Sequence, residues 1–236
     1  MSERDVLVVV PTYNERENLR ELLAGIREHA PGAGVLLVDD GSPDGTAEEA
    51  QALGRELGAI EVLQRGRRLG IGSAYREGFA RGLASGYRRF VSMDADLSHE
   101  PRYLPALLAA SERADVVIGS RYLRGVSVVN WSLKRLVLSV AANGYARAVT
   151  GLPVRDCTSG FQCFRREVLE AIDVERLRFN GYAFLIELKY KAYRRGFRLS
   201  EVPIIFIDRR FGKSKLGLSN VAQSGWAVWA LRLGLV

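Results

Sequence analysis

The sequence is poor in cysteine: Cys157 and Cys163 are the only two, and no metal-type set of partners accompanies them. That count excludes a disulfide framework and leaves reduced thiols as the expectation. No run of eighteen or more apolar residues occurs, so no transmembrane span is expected. Met1-Ser2-Glu3-Arg4-Asp5 passes straight into a strand-like run, and no secretory leader is expected either. The G-x-x-x-x-G-K-[ST] phosphate loop is missing. Gly70-x-Gly72 lacks a third glycine and suits close helix packing better than phosphate contact. Aromatic RNA-binding signatures, zinc fingers and helix-turn-helix patterns are also missing, so nucleic acid is not an expected partner despite the net charge of +7. Internal repeats and low-complexity linkers are absent.

What is present fits one α/β domain with an appendage: 236 residues, 47% hydrophobic and 26% charged, are enough to bury a single large core. Val6 to Val10 is an apolar run expected to be a strand buried on both faces, and Glu15 to Glu28 carries Leu19, Leu22, Leu23 and Ile26 at helical spacing. Strands are expected again at 35–38, at 60–63, up to Asp94 and at 115–118, each followed by a helical segment. This alternation predicts a mostly parallel sheet with right-handed crossovers, whose ligands bind at the strands' carboxyl ends. Beyond Arg121 the rhythm changes. An apolar stretch at 128–149, a helix near 182–195, a strand near 199–207 and a tryptophan-bearing tail at 216–236 are expected.

The distinctive residues lie at the expected carboxyl edge. Asp94-Ala95-Asp96 ends the fourth strand, where two carboxylates can hold a hard divalent cation against a phosphorylated ligand. Asp39-Asp40 ends the second strand, where carboxylates can accept hydrogen bonds from base N–H groups or ribose hydroxyls. The surrounding D-G-S-P-D-G string equally suits a turn and a helix cap. Basic residues cluster at Arg65-Gly66-Arg67-Arg68, at Arg121 and Arg135, and at Arg209, Arg210, Lys213 and Lys215. They fit phosphorylated substrates or an anionic membrane surface as readily as a solvated face.

Pro11-Thr12-Tyr13-Asn14-Glu15, Val38-Asp39-Asp40-Gly41-Ser42-Pro43-Asp44-Gly45-Thr46, Met93-Asp94-Ala95-Asp96-Leu97-Ser98-His99, Gly119-Ser120-Arg121-Tyr122 and Thr158-Ser159-Gly160-Phe161 together resemble the inverting GT-A glycosyltransferases of family 2. With Asp208-Arg209-Arg210-Phe211-Gly212-Lys213-Ser214-Lys215-Leu216-Gly217 the chain is similar, over nearly its whole length, to the dolichol-phosphate (polyprenol-phosphate) mannose synthases. The resemblance implies a GT-A, Rossmann-like domain at 1–215 and an amphipathic membrane-interface segment at 216–236. It implies donor contacts from Pro11, Tyr13, Glu15, Val38, Asp40, Asp94, Ala95, Asp96, Arg209 and Lys215, with Asp96 and then Asp94 on Mg²⁺ or Mn²⁺. It implies that Arg121, Arg135 and Ser139 hold the acceptor's phosphate. Asp94, Asp96, Arg121, Arg209 and Lys215 are then the expected catalytic set. Two positions depart from the pattern: Ser98 stands where some relatives offer a glutamine to the metal, and Gln162 where a basic residue is frequent.

The chemistry can be reasoned beside the resemblance. Displacement at an anomeric carbon needs a stabilised leaving group, which a divalent ion with Arg209 and Lys215 would supply to a nucleoside diphosphate. A sugar hydroxyl would need a carboxylate base, whereas a phosphate monoester, with a second pKa of about 6, is already an anion near neutral pH. The Q-x-x-R-W signature of processive relatives is missing, in keeping with a single transfer. The expected reaction moves mannose from GDP-mannose to a polyprenyl phosphate. A UDP-sugar donor on the same fold, and a non-catalytic sugar-nucleotide or membrane-surface binding protein, are the alternatives. Peripheral attachment to the cytoplasmic face of a membrane is expected, alone or through a membrane-anchored partner protein.

Overall fold

A computed structural model of the chain describes residues 5–208 and 218–235. Its centre is a seven-stranded sheet in the order β3-β2-β1-β4-β7-β5-β8. These strands are β1 (Val6–Thr12), β2 (Gly34–Asp39), β3 (Ile60–Gln64), β4 (Arg89–Ser92), β5 (Val116–Ser120), β7 (Gln162–Arg165) and β8 (Leu199–Pro203). A small second sheet pairs β6 (Val128–Val129) with β9 (Phe206–Ile207). The helices are α1 (Arg16–His29), α2 (Thr46–Leu57), α3 (Ile71–Ala84), α4 (Leu104–Ala110), α5 (Leu133–Thr150), α6 (Arg166–Ala171), α7 (Gly181–Arg194) and α8 (Leu218–Arg232).

Strand β1 shows why the sheet is central. Val6, Val8 and Val10 face a cluster built with Leu19, Leu22, Leu23 and Ile26 of α1 and Leu53 of α2. Leu7 and Val9 face the opposite cluster, with Phe79 of α3, Phe90 of β4 and Phe184 of α7. A strand apolar on both pleats can sit only between two layers of helix. Its parallel neighbours β2 and β4 therefore end with it on one edge.

Two features differ from the sequence expectation. Strand β7 runs antiparallel between β4 and β5, and the sequence pattern did not reveal it. It has four residues, and the Ser159-Gly160 pair just before it reads as a turn. The strand expected across 199–207 is two strands: β8 ends at Pro203, and the chain then leaves for the small sheet. Pro203 is tolerable because β8 is an edge strand.

Helix α8 packs against α7 and α5, and its Val228 and Leu231 belong to the same cluster as Leu7 and Phe184. Trp226 and Trp229 point outward from it, at 59% and 49% exposure. The expected boundary at 215/216 lies outside the described residues.

Helix α3 approaches β1 and β4 closely because Gly78 and Gly82 lie on its inner face. A Cβ at Gly82 would stand 2.5 Å from Leu7 Cδ2 and 2.6 Å from Phe90 Cε1. Gly82→Ala is expected to lower stability by about 1–3 kcal/mol through overpacking. A reduced urea midpoint with an unchanged slope would show this, and a wild-type midpoint would refute it.

Candidate active site

At the carboxyl edge of the sheet the two aspartates after β2 do different work. Asp39 accepts from the Thr12 hydroxyl at 3.0 Å, the Gly41 and Ser42 amides at 3.1 and 2.9 Å, and the Ser42 hydroxyl at 2.5 Å. It is the turn residue. Asp44 accepts from the Thr46 amide and hydroxyl at 3.0 and 2.5 Å, just ahead of α2, whose N-cap is the left-handed Gly45. Asp40 instead borders a cleft, and its carboxylate is already well occupied. Arg65 pairs with it through Nε, at 2.7 Å, and Nη2, while the Leu69 and Gly70 amides donate to its other oxygen at 3.2 and 2.8 Å. A nucleoside donating to Asp40 must therefore compete with the loop 65–70. That loop also places Arg68 over the Tyr13 ring at 4.6 Å.

The turn after β4 is tightly built. The Asp94 amide donates to Nδ1 of buried His99 at 3.0 Å, and the His99 ring stacks on Phe161 at 5.1 Å. Asp94 also accepts from the Tyr75 hydroxyl at 3.4 Å; burial first, and then the charge of Asp94, push the Tyr75 phenol well above its ordinary pKa. Asp96 accepts from the Ser98 amide at 3.2 Å and hydroxyl at 2.5 Å. Leu97 between them has φ of +61°, a left-handed conformation costly for a side chain with a Cβ, held here by the bonds on either side.

Opposite these acids lie the arginines. Arg121 follows β5 and is buried against Asp156, with two side-chain contacts of 2.7 Å and a backbone contact of 3.0 Å, and it donates to Thr158 Oγ1 at 2.7 Å. Burial alone would raise the Asp156 pKa, but Arg121 holds it below the usual carboxylate value. Arg135, in the first turn of α5, lies over Trp131 at 4.1 Å and donates to Asp208 at 2.6 Å. The Trp131 and His99 rings each meet Phe206 edge-on. Aromatic contacts thus join the acidic turn to the arginine side.

Pro11, Tyr13, Glu15, Asp40, Asp94, Ala95, Asp96, Arg121 and Arg135 all border one cleft of about 360 Å³. Val38 does not. It is wholly buried beside α3, so any contribution it makes to a ligand is through its backbone. Ser139 lies a turn beyond Arg135 and accepts from the Tyr122 hydroxyl at 2.7 Å rather than bordering the cleft. Arg209 and Lys215 lie outside the described residues. Arg65, Arg68, His99, Asp156, Thr158 and Phe206 were not singled out as site residues from the sequence. Arg65 and Arg68 stood in a basic cluster, and His99 and Thr158 in motif strings, without an individual role. A larger hollow of about 710 Å³ at the amino ends of β1 and β2 has neither the acidic turn nor the arginines.

Among the described residues no three His, Cys, Asp or Glu side chains converge on one point as in a closed protein-only metal site. Two carboxylates on one turn suit an ion that completes its shell with phosphate oxygens and water, as Mg²⁺ and Mn²⁺ do. Ser98 already donates its hydroxyl to Asp96.

The family model described as "Glycosyl transferase family 2" matches residues 7–173. The chain belongs to this family. Polyprenol monophosphomannose synthase of Mycolicibacterium smegmatis is 44% identical over 230 residues, covering 96% of this chain and 87% of that protein. Undecaprenyl-phosphate mannosyltransferase of Micrococcus luteus is 41% identical over 241 residues, covering 98% and 99%. Among solved structures, glucosyl-3-phosphoglycerate synthase of Mycobacterium tuberculosis with Mn²⁺, UDP and glucosyl-3-phosphoglycerate superposes with a TM-score of 0.69 at 23% identity, covering 98% of this chain and 79% of that one. The same enzyme with Mn²⁺, UDP and phosphoglyceric acid gives 0.70 at 22%, covering 98% and 78%. These likenesses establish the fold: an α/β domain with a mostly parallel sheet flanked by helices.

The Arg121–Asp156 pair gives a testable sign. A depressed folded-state pKa contributes stability above the unfolded value of about 3.9, and that contribution is lost as pH falls through the folded value. Arg121→Met leaves the Asp156 carboxylate buried and unpaired, and should cost about 3–5 kcal/mol at pH 7. The gap to wild type should narrow as pH falls toward 4 and below, because the orphaned carboxyl protonates. Urea midpoints across this range test it; a gap independent of pH would contradict the pairing.

Proposed function

We propose that this family 2 chain transfers mannose from GDP-mannose to a polyprenyl phosphate, with inversion at the anomeric carbon. One observation carries the reading: the acidic turn Asp94–Asp96 and the arginines Arg121 and Arg135 face one cleft, and Arg135 lies in the first turn of a helix with exposed apolar residues. The names of the two relatives above support the acceptor and the sugar.

The nucleoside end of the donor lies along Pro11, Tyr13, Glu15 and Asp40, and its diphosphate reaches the Asp94–Asp96 turn. Asp96, steadied by Ser98, and Asp94, steadied by His99 and Tyr75, would hold the divalent cation. When bound, that cation neutralises charge developing on the departing diphosphate. The family resemblance assigns Arg209 and Lys215, outside the described residues, to the same diphosphate. The acceptor phosphate meets Arg121 and Arg135. The Arg135–Asp208 pair is only partly buried, so a phosphate dianion can take Arg135 from Asp208 at less cost than it could take Arg121 from Asp156. Ser139 supports that side through Tyr122. A phosphate oxygen that is already anionic attacks the anomeric carbon from the face opposite the leaving diphosphate, so no carboxylate base is needed.

The acceptor is a lipid, and the surface suits one. Leu133 and Val137 on α5 are 75% and 59% exposed, beside Lys134, and the outward tryptophans of α8 add exposed apolar surface. Tyr145 of α5 donates to the Gly225 carbonyl of α8 at 3.1 Å. No helix among the described residues is long and apolar enough to cross a membrane. The proposed attachment is peripheral, on the cytoplasmic leaflet, with or without a membrane-anchored partner.

Radiolabelled transfer from GDP-mannose to a prenyl phosphate in the presence of Mg²⁺ or Mn²⁺ tests the reaction. Asp96→Ala should reduce it by about two to three orders of magnitude while the fold persists. Near-normal turnover in that variant would remove the metal assignment, and transfer from UDP-glucose alone would reassign the donor. For the surface, the protein should float with anionic liposomes, and Trp226→Ser/Trp229→Ser should weaken flotation. A wild-type protein that stays in the aqueous phase with acceptor lipid present would sink the membrane reading.

A further inference from the structure

Helix α7 carries a charge where helices rarely do. Lys189 is 0% exposed, flanked on its helix by Leu188 and Tyr190 in the core. Its ammonium donates to the Ser159 carbonyl at 3.0 Å. Burying an ammonium is expensive, and a single carbonyl is meagre compensation. Burial lowers its pKa to about 8, with the Arg121 charge adding to the fall and those of Asp156 and Glu201 opposing it.

What Lys189 touches gives the expense a purpose. Ser159 lies in the segment 156–160, which supplies Asp156 and Thr158 to Arg121 and borders the cleft through Thr158 and Gly160. The Ser159 hydroxyl donates to the Gly119 carbonyl at 2.6 Å, and the Gly160 carbonyl accepts from Ser92 at 2.6 Å. The segment therefore bridges the ends of β4 and β5, with Lys189 fastened beneath its middle.

We propose that Lys189 is a positioning residue for the acceptor side of the cleft: by gripping the Ser159 carbonyl it fixes the segment 156–160, and through Asp156 and Thr158 it fixes the Arg121 guanidinium. The assignment of Arg121 to the acceptor rests on the proposed function; the grip on the segment does not.

Lys189→Met separates this role from general support of the fold. Methionine fills similar length, and the Ser159 carbonyl keeps the Gln162 side-chain amide at 3.0 Å, so no buried acceptor is orphaned. Methionine spares the cost of desolvating an ammonium, and the Asp156 carboxylate keeps its Arg121 partner. The thermal midpoint of the variant should equal or exceed that of wild type. Hydrogen exchange should accelerate about tenfold at the Thr158 and Phe161 amides, which donate to Asn143 and Ser159 side chains, and stay unchanged at Val91 in β4. The KM for a short-chain prenyl monophosphate should rise about tenfold while that for the sugar nucleotide holds. Lys189→Met added to Arg121→Lys should cost less than it costs wild type.

Unchanged exchange at Thr158 and Phe161 would overturn the proposal, as would a lowered midpoint with protection lost throughout the core. If the wild-type protein transfers nothing to the prenyl phosphate, the proposed function fails while the exchange comparison still decides the role of Lys189.

Discussion

One reversed strand determines what the cleft contains. Because β7 runs antiparallel between β4 and β5, it starts at the edge where those two strands end. The segment just before it, 156–161, is thereby delivered to the same edge as the Asp94–Asp96 turn and Arg121. An all-parallel sheet would bring in the start of that strand at the opposite edge. The stacking of His99 on Phe161, the burial of Arg121 on Asp156 and the fastening of Ser159 by Lys189 all follow from that direction of travel.

A second property is the pairing of the cleft's cations. The chain is basic overall, yet Arg65, Arg121 and Arg135 are each joined to an aspartate, in pairs of differing burial. Charges held in this way are oriented before any ligand arrives, so less reorganisation is left for the moment of reaction. The pairs are graded. Arg65–Asp40 and Arg121–Asp156 are almost sealed and act as framework, while Arg135–Asp208 is open enough to exchange partners.

The sequence made part of this legible, for physical reasons. A run such as Val6–Val10, apolar on both pleats, has few homes other than a central strand, and acids closing such runs mark the ligand edge. The direction of β7 was not legible, because four residues carry no signal for which way they run. Asp156 was equally hidden: it lies far along the chain from Arg121, and the choice of ion-pair partner is made by the tertiary fold. Asp39 and Asp40 are adjacent and alike in sequence, and only the arrival of Arg65 from another strand end separates the turn residue from the one at the cleft. Val38 and Ser139 came from family likeness, and both stand back from the cleft surface. In α8, Ala227 and Ala230 are buried beside outward tryptophans, a division set by the packing of α8 on α7 and α5 and invisible in the helix itself.

The short separation between Arg135 and the bare side of α5 has an energetic consequence. Of the exposed apolar residues of α5, Leu138 stands three residues from Arg135, on a neighbouring face and about 5 Å further along the axis, while Leu133 and Val137, two residues away on either side, lie around the helix from it. On the proposed function, a lipid phosphate at that cation would have its first isoprene carbons nearest the exposed Leu138. Hydrocarbon exposed to water costs about 0.8 kcal/mol per methylene, so drawing even one five-carbon unit across a polar gap would cost about 4 kcal/mol. On the proposed function, a cation and an exposed leucine this close would let the phosphate sit in the cleft while the tail keeps to a hydrocarbon surrounding.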